Sequence, residues 1–139
     1  MKKILSLSII FMLCIAGCQL DDDDAVIYNE PAEGSWSLIN VSGTLAGLDQ
    51  DIEAGVVVWT FNETDGTVTV VNNNTDNEIE TFFETGIYSY VLQDNENNDD
   101  TCEQSMVIEG INFGCQTFTE DTMILSTVHA DGHQLTFKN

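Results

Sequence analysis

The sequence predicts an all-β domain of eight or nine antiparallel strands, and three observations lead there. From Gly34 onward, apolar and polar residues alternate in short runs rich in Val, Ile, Thr and aromatics, the two-residue period of a half-buried strand. Gly, Asn or Asp interrupts these runs about every ten residues, as turns require. No segment sustains a helical period of 3.6 residues. A chain of this kind buries one face of each strand in a sandwich or a closed barrel, the two arrangements that also manage sheet edges.

In order, the expected strands are 35–41, 56–62, 67–72, 78–83, 87–92, 102–108, 111–118, 122–128 and 134–138. Most links between them are short, so each strand is expected to pair with its neighbour in a meander. Alternation places Val57, Trp59 and Phe61 on one face of the second strand, Val68 and Val70 on one face of the third, and Leu135 and Phe137 on one face of the last. These are the expected inward faces. Asp65-Gly66, between the second and third strands, is a hairpin signal because glycine accepts the positive φ of a tight turn. Asp131-Gly132 repeats it before the last strand, and 102–108 turns into 111–118 around Glu109-Gly110. Residues 43–55 and 93–101, rich in Asp, Asn and Gly, read as longer mobile loops.

Ahead of the domain, Met1-Lys2-Lys3 and the apolar run from Ile4 to Ile15 have the charge and length of an export signal. The run is too short to span a bilayer permanently, which takes ~20 apolar residues. Ile15-Ala16-Gly17-Cys18 resembles the lipobox of bacterial lipoproteins. That resemblance implies cleavage before Cys18 and fatty acylation of Cys18, giving a removed signal over 1–17, a lipidated tether over 18–32 and a domain over 33–139. The tether carries Asp21 to Asp24 and the single proline, Pro31; four adjacent carboxylates repel one another and keep it extended. The acidic cluster behind the cysteine resembles the export signal of Bacteroidetes lipoproteins, and Gln19 stands where an aspartate would favour inner-membrane retention. The implied location is the outer membrane, lipid-anchored and exposed on the cell surface.

Charge narrows the partners. The chain has 24 acidic and three Lys or Arg residues, a formal net charge of −21. Loss of Lys2 and Lys3 would leave Lys138 as the only one of these bases. One sign of charge throughout repels nucleic acid and anionic head groups, so neither is an expected partner and membrane attachment rests on the lipid.

The run from Gly34-Ser35-Trp36 to Gly43 resembles the first strand of the lipocalin-like domains of Bacteroidetes lipoproteins. The likeness continues through Val58-Trp59-Thr60-Phe61-Asn62, Thr67-Val68-Thr69-Val70, Gly86-Ile87-Tyr88-Ser89-Tyr90 and the ending Ala130 to Lys138. It implies a small up-and-down barrel closed at one end by Trp36, with Lys138 in the place of the usual arginine over the indole, a cation–π contact. It also implies a non-enzymatic binding role. A small hydrophobic or amphiphilic ligand would lie between Val57, Trp59, Phe61, Tyr88, Tyr90 and Phe137. The other reading is that these side chains fill the core of a structural or protein-interaction lipoprotein. Strands this short and the lack of a C-terminal helix depart from a deep calyx.

With Cys14 in the signal and Cys18 acylated, Cys102 and Cys115 remain as an even pair, on strands joined by a short turn, in an oxidising compartment. A structural disulfide is expected. No zinc site is expected, because His129 and His133 lie in a strand-turn context and the two thiols are far apart. Asp94, Glu96, Asp99 and Asp100 crowd one loop without the spacing or glycine of a calcium loop. No nucleophile with a positioned base and no phosphate-binding glycine loop occurs, so neither enzyme activity nor a cofactor is expected.

Overall fold

A computed structural model describes residues 32–43, 45–94, 104–119, 121–128 and 131–139. The expected signal, Cys18, the tether as far as residue 31, Cys102, His129 and the acidic loop after Asp94 all lie outside them. The described residues form no helix and ten strands: β1 Gly34–Gly43, β2 Leu48–Asp51, β3 Val57–Asn62, β4 Thr67–Asn72, β5 Gly86–Asp94, β6 Gln104–Ile108, β7 Ile111–Asn112, β8 Thr117–Phe118, β9 Thr122–Ser126 and β10 His133–Lys138. All pairings are antiparallel.

Nine strands follow one path, β7-β6-β5-β4-β3-β1-β10-β9-β8, and β2 pairs β1 off it. The path begins and ends in a single stretch of chain, so the sheet curls round to meet itself. Phe113 N–H donates to Met106 of β6 (2.8 Å), and Phe113 carbonyl accepts from Ser126 of β9 (3.2 Å). β1 needs two partners on its second edge because β3 covers only Gly34 to Ser37. β2 takes up the remainder, Asn40 to Gly43.

Inward faces follow the alternation. Val57, Trp59, Phe61, Val68, Val70, Leu135 and Phe137 are all buried, joined by Leu38, Val41, Met106, Ile108, Phe113, Met123 and Leu125. Carboxylates are kept off the staves: among the described residues, Asp49, Asp51 and Asp94 are the only ones within strands. The other described carboxylates sit in turns and loops, where each charge stays hydrated.

The hairpins use local chemistry. In the Asp65-Gly66 turn, Asn62 Oδ1 accepts from the Asp65 N–H (3.1 Å) and Gly66 takes φ 61°. At Glu109-Gly110 both residues have positive φ, 48° and 83°, the signature of a two-residue turn whose twist matches its strands. Glu109 accepts the strain because its Oε1 receives both Ser89 N–H (3.0 Å) and Ser89 Oγ–H (3.1 Å).

Three expectations are corrected. Residues 78–83 form no strand: Asn72, Asn74 and Asp76 side-chain oxygens take the N–H groups of Asn74, Asp76 and Glu78 in succession, which curls 73–85 into a compact loop. The stretch 43–55, read as loop, contains β2. The expected strand 111–118 is interrupted after Asn112, where Gly114 at φ 61° turns the chain between its two partners.

Candidate functional site

The six residues expected to face a ligand come from three strands. Val57, Trp59 and Phe61 alternate along β3, Tyr88 and Tyr90 along β5, and Phe137 lies on β10. Five of them are buried and Tyr88 is half-buried. Trp59 is the hub. Its ring centroid lies 5.0 Å from Phe137, 5.3 Å from Phe83, and 6.2 Å from both Phe61 and Phe113. Phe61 meets Tyr90 edge-on at 5.7 Å. Tilted and edge-on pairs at these distances are the favourable arrangements of aromatic quadrupoles.

Phe82, Phe83 and Phe113 belong to this cluster and were not among the expected residues. Phe82 and Phe83 come from the loop 73–85, which lies over the end of the sheet formed by Val57, Asn72, Gly86 and His133. Phe82 reaches Phe113 at 5.7 Å and His133 at 5.3 Å, while Phe83 reaches Trp59 and Tyr88. Tyr88 keeps its hydroxyl at the surface, donating to the Glu84 carbonyl (2.9 Å).

Within the apolar interior two polar atoms, Trp59 Nε1 and the Tyr90 hydroxyl, have no hydrogen-bond partner among the described residues. Burial raises the Tyr90 hydroxyl above its ordinary pKa, and the nearby carboxylates of Glu63 and Glu33 push it the same way.

At the opposite end Trp36 packs on Phe118 (5.8 Å), and its Nε1–H donates to the Glu33 carbonyl (3.1 Å). Ala32 is buried here, its N–H held by Gln116 Oε1 at 3.0 Å. Lys138, expected over Trp36, stands on an exposed position with its Nζ 3.5 Å from Asp121 Oδ2. Cys115 is disulfide-bonded.

Two hollows open at the loop-bearing end. One of about 280 Å³ lies inside the loop 73–85, lined by Asn72, Asn74, Asp76, Glu80, Phe82 and Phe83 among others. The second, about 490 Å³, is bounded by Ala46 to Gln50, Glu78, Glu80 and His133. Among the described residues no three His, Cys, Asp or Glu side chains are grouped to hold a metal ion.

No protein-family model matches this chain, and neither the curated proteins nor the solved structures compared with it return a match.

Proposed function

We propose that this chain is a lipid-anchored envelope protein, acylated at Cys18 and exposed on the cell surface. Its acidic, lipocalin-like barrel acts without catalysis, by contacts made at its loops. The interior serves as a filled core, and Cys102 is the partner of Cys115. One observation carries the reading: the residues that would line a ligand cavity pack on one another, with Phe83 set against Trp59 at 5.3 Å. The curl of the sheet and the meander order support the lipocalin-like assignment.

The test is native and intact-mass spectrometry of protein purified from its own host's membranes. The expected result is a mass increased by fatty acyl chains at Cys18 and no retained small molecule. A stoichiometric co-purified ligand would overturn the filled-core reading. A chain found unacylated would overturn the anchor.

A further inference from the structure

We infer that the outer wall of the sheet across β6-β5-β4-β3-β1 is a contact surface for a second copy of this chain, and that it holds two copies in a weak, symmetric pair. The inference concerns the wall rather than the loops of the proposed function, and it does not rest on the acyl anchor.

The first observation is charge. β1, β3, β4 and β6 contain no Asp, Glu, Lys, Arg or His, and β5 has only Asp94, at its end. These five strands are neighbours in the sheet. A chain with a formal net charge of −21 is repelled by its own copies wherever carboxylates face one another, so a neutral wall is where two copies meet at least electrostatic cost.

The second observation is what the wall exposes. Alternation turns three cross-strand pairs away from the core: Val58 with Val71, Thr69 with Ile87, and Val91 with Val107. Five large apolar side chains are exposed among the described residues, and three are here, Ile87 at 72%, Val91 at 52% and Val71 at 43%. They adjoin one another. Val71 lies two residues along β4 from Thr69, the partner of Ile87, and Val91 lies four residues along β5 from Ile87 on the same face. Covering such a strip takes apolar area out of water, which favours association.

The third is that the hydroxyls interleaved with these side chains are bonded within the chain. Ser35 Oγ and Thr60 Oγ1 share a hydrogen bond (2.9 Å), Ser37 Oγ accepts from the Gly55 N–H (3.0 Å), and Ser89 Oγ donates to Glu109 Oε1 (3.1 Å). Hydroxyls already paired are cheap to dry. The wall therefore suits another dry protein face better than a sugar, which needs donors and acceptors left over for it. Two copies related by a twofold axis present this same patch to each other, with no carboxylate at its centre. Four strand spacings of about 4.8 Å by two side-chain intervals of about 7 Å give a patch of roughly 20 by 14 Å. That is well below the ~800 Å² per partner of a stable complex, so the pair forms only at high concentration.

Sedimentation velocity of the full chain in non-ionic detergent, with micelles in excess of chains, tests the pairing. Dimer should appear between about 10 μM and about 500 μM protein. Raising sodium chloride from about 50 mM to about 500 mM should tighten it roughly tenfold, because screening removes the repulsion between copies. Ile87→Asp, and separately Val91→Asp, places a carboxylate near its own symmetry mate and should weaken the pair at least about tenfold. Gln134→Asp adds the same charge at an exposed position of β10, outside the five strands, and should change it by less than about twofold. All three positions are exposed, and far-UV circular dichroism checks that each variant is folded. Monomer at every concentration and both salts would overturn the proposal and leave the wall to a different protein. So would a pair that salt loosens, or one that folded Ile87→Asp leaves intact or weakens no more than Gln134→Asp does. None of these results reports on the mass at Cys18, so the anchor and the pairing fail separately.

Discussion

Gly43 ends β1 where three strands converge, opposite His133 of β10 and Leu48 of β2. It holds φ +116°, and a Cβ built on it would stand 2.4 Å from the Gly132 carbonyl oxygen and 3.2 Å from His133 Cα. Both neighbours are backbone, so no side chain can swing away. Replacing Gly43 by alanine costs about 1–2 kcal/mol for the backbone conformation alone. Moving the start of β10 to relieve the overlap adds about 1–3 kcal/mol, the usual range for forcing volume into a packed site. The sum, about 2–5 kcal/mol, is a large part of the stability of a small domain. Gly47 supplies the control: its φ is +71°, yet nothing lies within 4 Å of its added Cβ, so Gly47→Ala carries the backbone cost without the collision. Urea unfolding followed by tryptophan fluorescence measures both. Equal destabilisation of the two variants, or a Gly43→Ala protein within about 0.5 kcal/mol of the parent, would refute the reasoning.

Other outcomes follow from the same geometry. Because the Tyr90 pKa is raised in the folded state, the folded chain keeps its phenolic proton at pH values where the unfolded chain has lost it. Stability from this group is therefore whole below pH 10.0 and is lost as the pH climbs through the folded value. Melting temperatures between about pH 9 and about pH 11.5 should fall less steeply in Tyr90→Phe than in the parent. Gln116→Ala strips the buried Ala32 N–H of its acceptor and should cost about 1–3 kcal/mol in urea unfolding. Lys138→Ala breaks only an exposed ion pair, so its unfolding midpoint should be unchanged within error. Cys18→Ser should abolish incorporation of labelled palmitate, and persistence of the label would place the lipid elsewhere.

What could be read in the sequence was what alternation encodes. Val57, Trp59 and Phe61 announce an inward face because nothing but burial explains three large apolar residues at period two, and all three are buried. The same rule misled at 78–83. Ile79, Thr81 and Phe83 stand two apart, as one face of a strand would, but Asn72, Asn74 and Asp76 capture the backbone N–H groups of Asn74, Asp76 and Glu78 first. β2 was illegible for the opposite reason: Leu48-Asp49-Gln50-Asp51 has no apolar face to speak of, and it is a strand because β1 offers an edge that β3 does not reach. In the candidate site, the contribution of Phe82, Phe83 and Phe113 depends on where a loop and an interrupted strand fold back. No local pattern records that.

The pairing of β1 with β10 joins the first strand of the sheet to the last. Until β10 docks, the edge of Ser37 to Gly43 stands without the partner it has in the folded sheet, and that pairing reaches across almost the whole described domain. Long-range pairing of this sort is slow, and an unpaired edge in the meantime is a template for aggregation. An exposed β1 edge is therefore the place where one copy of the unfolded chain can capture another before β10 closes over it.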